Sequence, residues 1–369
     1  MRKVVFVAGE ASGDLHAAGV AAALRRLRPE LPLAAVGGAR LAEQGVEMLH
    51  FDPHLGVMGF AEIVKHIPSH WWLLWKLSNM MELDDVGLVI LVDYPGFNMK
   101  VAARAHERGV PVLYYVTPQV WAWGAGRIPK LAELVTKAAV ILPFEEELLR
   151  GYGVDATFVG HPLLDRAAGM QSKQEARREL NLPSDAEVLA LFPGSRQQEI
   201  DRHLEDFVAT AELLRNQRPG LQVIVSVAST VNVDPARCPF PLMHSRSLSV
   251  LRAADVALCK SGTTTLEAAI AGCPLVVAYR TGRISFLLAQ RLVTLSRIGL
   301  VNVVAGRQVA PEFIQGDIKP GPMAAALSVL LEPGSARESA LRGLSDVRDA
   351  LGTAGAADRV AGIASALVR

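Results

Sequence analysis

Two loops in the second half of the chain carry residue types that could bind a phosphate group. In LFPGSRQQEI an apolar run ends at Phe192, and Gly194, Ser195 and Arg196 precede a helical pattern. In LCKSGTTTLEAAIAG, Lys260 and small hydroxyl residues precede another helix. Free N–H groups at a helix start, hydroxyls and a guanidinium all suit an anion. Two such loops in one domain indicate a nucleotide diphosphate. The alternative for the first loop is a Ser195 N-cap beside a solvent-facing Arg196.

An aspartate in ILVDYPGFN is the candidate for acid–base chemistry. Asp93 comes directly after an apolar strand, and Pro95-Gly96 forces a turn behind it. A carboxylate in that position could take a proton from an attacking hydroxyl. The alternative interpretation is that Asp93 caps the next helix or bonds to the backbone of the turn.

Two loops in the first half suggest a pocket for a polar, sugar-like group. VAGEASGDLHAA lacks the dinucleotide fingerprint, and Glu10 and Asp14 would repel a pyrophosphate. It forms either such a pocket or a simple turn with Asp14 capping a helix that begins near it. YYVTPQVWAW places Trp121 and Trp123 after a strand, where aromatic rings stack on sugars or pack between domains.

Alternating strand and helix patterns must position these loops. Apolar β-rich runs such as VVFVAG, GLVILVD, VLALFPG and ADVALCK are separated by segments with helical spacing. That alternation predicts an α/β fold with parallel sheets, whose ligands lie beyond the C-terminal ends of the strands. We predict two α/β domains, 1–165 and 166–340. A helical, Ala-rich segment, 341–369, is predicted to follow and could cross back onto the first domain.

Composition excludes several classes of protein. The 369 residues are half hydrophobic with a net charge of +1, which argues against general nucleic-acid binding. Cys238, Cys259 and Cys273 show no metal-ligand spacing and indicate buried thiols in a reducing compartment. Without a D-x-D triplet or a His/Cys cluster, we expect neither a metal nor a cofactor. The apolar run Val4–Ala8 is too short for a signal peptide, and no run reaches the ~20 residues of a spanning helix, so we expect a cytoplasmic protein.

The stretch GFAEIVKHIPSHWWLLWKLSNMMEL concentrates three of the five tryptophans within five residues. Apolar residues follow helical spacing along it, which by itself favours a buried core helix. Lys65, His66, His70 and Lys76 interleave the apolar residues and make a spanning helix implausible. The remaining alternative is a segment that lies in a membrane interface.

Taken together, the motifs resemble the lipid-A-disaccharide synthase family. The matching elements, in the family's order, are VAGEASGD, MGFAEIV, DYPGFN, TPQVWAW, LPFE, VGHP, PGSR, SGTTTLE and NVVAGRQVAPEFIQ. The resemblance implies a GT-B fold with two Rossmann-like domains facing a central cleft. It also implies transfer of 2,3-diacylglucosamine from UDP to 2,3-diacylglucosamine 1-phosphate, with inversion to a β(1→6) disaccharide. The partners are then the two acylated sugars and the inner face of the cytoplasmic membrane, with the chain a monomer or a C-terminally swapped homodimer.

The resemblance places Asp93 and Arg196 on the family's candidate catalytic residues, and together with the residue patterns above it leads to the following expected roles. The catalytic residues are Asp93 and Arg196. The UDP contacts are Gly194, Ser195, Arg196, Lys260, Ser261, Gly262, Thr263, Thr264, Glu267 and Asn302. The acceptor contacts are Glu10, Ser12, Asp14, Gln119 and Trp121. The membrane or acyl contacts, now favoured over core packing, are Val57, Met58, Phe60, Ile63, Ile67, Trp71, Trp72 and Trp75. Relatives often carry a second acid where this chain has Gly96, so Asp93 is the expected sole base of its loop. Whether Glu10 or Asp14 shares the role of general base with Asp93 is left open.

Two other functions remain possible from the sequence. A sugar-nucleotide 2-epimerase has the same architecture, but it acts on a soluble substrate and needs no exposed tryptophan helix. A non-catalytic lipid-binding protein at a membrane surface would not need the paired phosphate loops.

Overall fold

The computed structural model describes residues 2–51, 67–83, 85–123, 125–282 and 297–368. The chain divides into two compact units. The first comprises Met1–Asp165 and Gly352–Arg369, and the second comprises Arg166–Leu351.

The first unit is built on a seven-stranded parallel sheet with the order β3-β2-β1-β4-β5-β6-β7. Its strands are β1 (Lys3–Ala8), β2 (Leu33–Gly37), β3 (Glu47–Phe51), β4 (Val86–Val92), β5 (Val112–Tyr115), β6 (Lys137–Val140) and β7 (Ala156–Phe158). The central strand β4 is apolar and buried along its whole length. Helices on both faces of a parallel sheet leave no solvated side for such a strand, so its side chains need not alternate in polarity.

Helices cover both faces of this sheet. They are α1 (Ala11–Leu27), α2 (Ala39–Glu43), α3 (Ile67–Glu82), α4 (Pro95–Glu107), α5 (Val120–Trp123), α6 (Ile128–Leu134), α7 (Pro143–Arg150) and α8 (Leu163–Arg166). Alternate residues of β4 enter opposite cores: Val89 and Leu91 pack on one face, and Leu88 and Ile90 on the other. This alternation is the period of two that an extended strand imposes.

The second unit has a six-stranded parallel sheet with the order β10-β9-β8-β11-β12-β13. Its strands are β8 (Val188–Phe192), β9 (Gln222–Val227), β10 (Leu242–His244), β11 (Val256–Lys260), β12 (Leu275–Tyr279) and β13 (Glu312–Ile314). Its helices are α9 (Lys173–Glu179), α10 (Gln197–Gln217), α11 (Ser247–Ala253), α12 (Thr264–Ala271), α13 (Leu300–Ala305), α14 (Pro320–Leu331) and α15 (Ser335–Ala350). Cys238, Cys259 and Cys273 are buried free thiols.

The C-terminal segment is shared between the two units. Helix α15 lies in the second unit, where Leu344 and Val347 are buried. The last helix, α16 (Ala356–Leu367), packs against α1 of the first unit. Its buried Val360 and Ala364 join the core beneath α1. The return to the first unit therefore begins at Gly352, and residues 341–351 lie with the second unit.

Candidate active site

Asp93 lies at the C-terminal edge of the first sheet, one residue beyond β4. Its backbone and that of Tyr94 both adopt left-handed conformations, with φ of 50° and 47°. Tyr94, not Asp93, is the N-cap residue of α4, and Pro95 follows at the first helical position. The alternative interpretation of Asp93 as that helix's N-cap is therefore wrong.

The N-terminal loop gives its two acids different surroundings. Helix α1 begins at Ala11 instead of near Asp14, with the half-buried Glu10 as its N-cap residue and Ser12 exposed in its first turn. Asp14 is buried and accepts hydrogen bonds from the backbone N–H groups of Gly38, at 2.7 Å, and Arg40, at 2.9 Å. Those groups begin α2, so the Asp14 carboxylate caps a different helix from the one predicted. Of the two acids, Glu10 is the one left to meet a ligand.

Trp121 is held by an acid that the sequence did not single out. Its indole N–H donates to Glu145 Oε1 at 2.9 Å, and its ring meets Phe144 edge-on with centroids 5.1 Å apart. Glu145 is buried in the first turn of α7, and its other oxygen accepts from the Leu142 N–H at 3.1 Å. The exposed Gln119 lies just before α5. The signal for Glu145 was its place in LPFE, but its partner lies 24 residues away.

Burial raises the pKa of Glu145 from 4.5 to about 7, and the bonds from Trp121 and Leu142 offset part of that rise. The folded chain therefore keeps this proton between pH 4.5 and 7, where the unfolded chain has lost it. Stability should fall as pH rises through this window, by up to about 3 kcal/mol. Glu145→Gln has no ionisable group at this position. We therefore expect the free energy of unfolding of the variant, minus that of the parent, to rise by about 3 kcal/mol from pH 4.5 to pH 8.

The measurement is urea unfolding of both proteins at the two pH values. The exposed Glu147→Gln on the same helix is the matched control, and its difference from the parent should not change across the window. An equal difference for Glu145→Gln at both pH values would contradict the raised pKa.

The loop after β8 is organised by Glu199, which sequence reasoning also missed. Gly194 has a φ of 144°, and a Cβ built there would lie 2.4 Å from the Glu199 Cβ. Glu199 Oε2 accepts from the N–H groups of Ser195, at 3.0 Å, and Arg196, at 3.3 Å. Arg196 is the N-cap residue of α10 and its side chain is exposed. The Ser195 N-cap predicted as the alternative is therefore wrong.

Glu199 also joins this loop to the one after β11. Its Oε1 pairs with Lys260 Nζ at 2.7 Å, and the pKa of Glu199 is lowered by Lys260 and by these hydrogen bonds despite its burial. Lys260 also lies over the Tyr279 ring, 5.8 Å from its centroid. The structure thus brings the Gly194–Arg196 turn and Lys260 together, as two phosphate-binding loops require.

The rest of the second loop is partly engaged within the protein. Ser261 is buried and its hydroxyl donates to the Ile298 carbonyl at 2.8 Å. Thr263, at the N-cap position of α12, is exposed, and Gly262 and Thr264 are half-buried. Glu267 is buried and pairs with Arg166 at 3.3 Å, and burial raises its pKa. A ligand would therefore meet the start of α12 and Thr263 first.

Asn302 lies near this loop but has no group to offer a ligand. Its amide nitrogen donates to the Ala310 carbonyl and to Glu312, both at 2.7 Å. Its oxygen accepts from the N–H groups of Val309, at 2.7 Å, and Ala310, at 2.9 Å. The side chain is fully buried, and these bonds use both hydrogens and both lone pairs of the amide. These bonds give Asn302 a structural role within the second unit.

Helix α3 presents the tryptophans to solvent. Leu73, Leu77 and Met81 pack into the core. The side chains of Trp71, Trp72 and Trp75 are 60%, 50% and 61% exposed. Core packing therefore does not account for the tryptophans. The predicted contacts Val57, Met58, Phe60 and Ile63, and the side chain of Ile67, lie outside the described residues.

Cations accompany these rings. Lys76 Nζ lies 5.3 Å from the Trp72 ring centroid and Lys100 Nζ lies 5.8 Å from that of Trp71. In the described part of the chain, no helix is long and apolar enough to cross a membrane. Across the same residues no cluster of His, Cys, Asp and Glu is placed to hold a metal ion.

Two α/β units, each built on a parallel sheet covered by helices, are the architecture of the GT-B fold class. Solved structures share this fold. The kitacinnamycin glycotransferase superposes with a TM-score of 0.64 at 16% identity, covering 100% of both chains. The UDP-GlcNAc 2-epimerase from Neisseria meningitidis gives 0.64 at 13% identity, covering 98% of this chain and 99% of that one. The predicted α/β class with two parallel sheets is confirmed.

Sequence comparison places the chain within this class. The family model for lipid-A-disaccharide synthetase matches residues 4–359. The lipid-A-disaccharide synthase of Myxococcus xanthus is 41% identical over 366 residues, covering 97% of this chain and 96% of that protein. That of Syntrophus aciditrophicus is 39% identical over 376 residues, covering 99% and 98%. The chain belongs to the lipid-A-disaccharide synthase family, a family of hexosyltransferases.

Proposed function

We propose that this chain condenses UDP-2,3-diacylglucosamine with 2,3-diacylglucosamine 1-phosphate. The products are the β(1→6)-linked disaccharide 1-phosphate and UDP. Family membership over nearly the whole chain supports the reaction. The observation that carries the mechanism is the position of Asp93 beyond the C-terminal end of β4, where ligands of parallel sheets bind.

Asp93 is the proposed general base. The 6-hydroxyl of the acceptor gives its proton to the carboxylate as its oxygen attacks the anomeric carbon of the donor, and the bond to UDP breaks. One displacement inverts the configuration, so one base suffices. Glu10, Ser12, Gln119 and Trp121 are the proposed acceptor contacts, because they lie in loops or first turns that follow β1 and β5 of the same sheet.

The second unit is proposed to hold UDP. Its diphosphate would meet the N-termini of α10 and α12, with Arg196 and Lys260 as the nearby cations. Aligned N–H groups and fixed cations stabilise the charge that develops on a departing diphosphate. Lys260 is directly ion-paired with Glu199, whereas the side chain of Arg196 is exposed, so Arg196 is the cation more open to a ligand.

Replacing Arg196 with alanine is expected to lower UDP affinity and turnover about 10- to 100-fold, the worth of a charge-assisted hydrogen bond. Isothermal titration with UDP and steady-state kinetics measure the two quantities. Arg178→Ala removes an exposed arginine of the same unit and should change neither. Parent-like UDP affinity and rate in Arg196→Ala would exclude Arg196 from the site.

The exposed face of α3 is proposed to dock on the membrane that holds both substrates. Tryptophan rings favour the headgroup depth of a bilayer, and lysines beside them attract anionic lipid. The protein would then be cytoplasmic and peripherally bound to the inner membrane. Its oligomeric state is proposed as a monomer or a swapped homodimer; in this structure α16 packs on α1 of the same chain.

One assay separates this function from its alternatives. UDP release is measured with each acylated glucosamine substrate alone and with both in the same vesicles. A synthase releases UDP only when both are present. An epimerase would change the donor sugar without the acceptor, and a lipid-binding protein would release no UDP at all.

A further inference from the structure

The main-chain carbonyl of Asp93 is held by two buried side chains. Asn98 Nδ2 donates to this oxygen at 2.7 Å, and the Tyr114 hydroxyl donates to it at 2.8 Å. Both side chains are completely buried. Asn98 comes from α4 and Tyr114 from β5, so elements on two sides of the loop fix one peptide group.

The loop needs such support because its backbone is strained. Asp93 tolerates the left-handed region, but a bulky residue such as Tyr94 seldom adopts it. Conformations of this kind cost about 1–3 kcal/mol each and persist only when the surroundings hold them. The Tyr94 ring fills the place of a side chain at Gly9, since a Cβ there would lie 2.2 Å from its Cδ1. The VAGEASGD and DYPGFN motifs are thus packed against each other.

We propose that Asn98 and Tyr114 are positioning residues that hold the Asp93 carboxylate in its reactive direction. The inference rests on the proposed role of Asp93 as the base. The two donors occupy both lone pairs of the Asp93 carbonyl. They therefore fix the peptide plane that contains the Asp93 Cα, the atom that bears the side chain. An ordinary bend after β4 would leave the carbonyl to water and allow the carboxylate to turn away.

Both donors are suited to a permanent contact. Asn98 Nδ2 also lies 3.3 Å from the Val7 carbonyl and 3.2 Å from the Val92 carbonyl, so only its nitrogen end fits among these oxygens. Burial, and then the charge of Asp93, raise the pKa of the Tyr114 hydroxyl well above its usual value. The hydroxyl therefore remains a donor throughout the working pH range.

The test compares Tyr114→Phe with Tyr115→Phe. Tyr115 is the next residue of β5, equally buried, but it packs in the core on the opposite face of the sheet. Tyr114→Phe removes one hydroxyl and is expected to lower kcat about 10-fold with both KM values unchanged, since a small misplacement of a catalytic group is costly. Tyr115→Phe should stay within about 2-fold of the parent, and UDP affinity should stay constant in both.

A double variant separates the inference from the proposed function. In the Asp93→Asn background, Tyr114→Phe should produce no further loss, because the base it positions is gone. A loss of the same size in both backgrounds would overturn the positioning role. Equal kcat values for Tyr114→Phe and Tyr115→Phe would also overturn the positioning role. If Asp93→Asn is impaired in the same experiment, the assignment of Asp93 as the base is unaffected. Near-parent turnover in Asp93→Asn itself would instead overturn the base assignment.

Gly9→Ala tests the same loop without changing Asn98 or Tyr114. Its Cβ would displace the Tyr94 ring, so kcat should fall while UDP affinity stays unchanged. Parent-like kcat in a folded Gly9→Ala protein would contradict the need for this loop conformation. This variant also tests the inference if Tyr114→Phe does not fold.

Discussion

Asp93→Asn is expected to lower turnover by about 10²–10⁴-fold, the usual contribution of a general base. Asparagine keeps the shape of the side chain and, like aspartate, tolerates the left-handed backbone found here. Asp93→Ala should show the same loss of chemistry, with added strain in the turn because alanine does not favour positive φ. The asparagine variant therefore separates the lost proton acceptor from a distorted loop.

The measurement is kcat with both lipids present, together with UDP affinity and a melting curve. Asp155→Asn is the matched control, since Asp155 is an exposed aspartate at the opposite, N-terminal end of β7 that pairs with Lys137. It should retain parent activity. If Asp93→Asn binds UDP, melts like the parent and still turns over within a few-fold of it, Asp93 is not the base.

Replacing Trp71, Trp72 and Trp75 together with serine is expected to weaken binding to anionic vesicles about 100-fold. Each ring is at least half exposed in the free protein, and burying the exposed part in a bilayer interface is worth about 1 kcal/mol. The variant should also be more soluble, with UDP affinity unchanged because the proposed UDP residues lie in the other unit.

Vesicle co-sedimentation measures this binding. The matched control changes three exposed apolar residues of the second unit, Leu213, Val329 and Leu341, to serine. Vesicle binding should be unaffected in that protein. If the tryptophan variant unfolds, the tryptophans contribute to the core of the protein. If the variant folds and binds vesicles as well as the parent, the docking surface lies elsewhere.

Hydrophobic patterns within short segments of the sequence predicted individual strands and helices of the fold. The buried strands ending at Ala8 and Phe192, and the one that ends just before Asp93, were predicted because each is a continuous apolar run, typical of parallel strands, that stops at a glycine, a proline or an acid. The helical spacing around Trp71 predicted α3, but it could not indicate which face packs inward. Leucines took the core positions and the tryptophans took the surface.

Several side-chain roles depend on partners distant in the chain. Asp14 caps a helix whose first N–H groups lie 24 and 26 residues away, and Trp121 donates to Glu145 24 residues away. The Asp93 carbonyl takes a bond from Tyr114 across neighbouring strands, 21 residues apart. The spacing of residues in the sequence does not predict these contacts, because the residues of each pair meet only when the strands take their places in the sheet. The partners of Asn302 and the N–H partners of Glu199 are closer in the chain, although Lys260, the ion-pair partner of Glu199, is not. For both residues only the folded loops show which of their atoms remain open to a ligand.

The most direct test of the account is the structure of the product. The enzyme is given UDP-2,3-diacylglucosamine and 2,3-diacylglucosamine 1-phosphate, and the lipid product is analysed by mass spectrometry and by NMR at its anomeric centre. The account predicts a tetraacylated disaccharide that retains the acceptor phosphate, joined β(1→6), in amounts equal to the UDP released. An α linkage would contradict the single displacement driven by one base. UDP release without any disaccharide would contradict the proposed function itself.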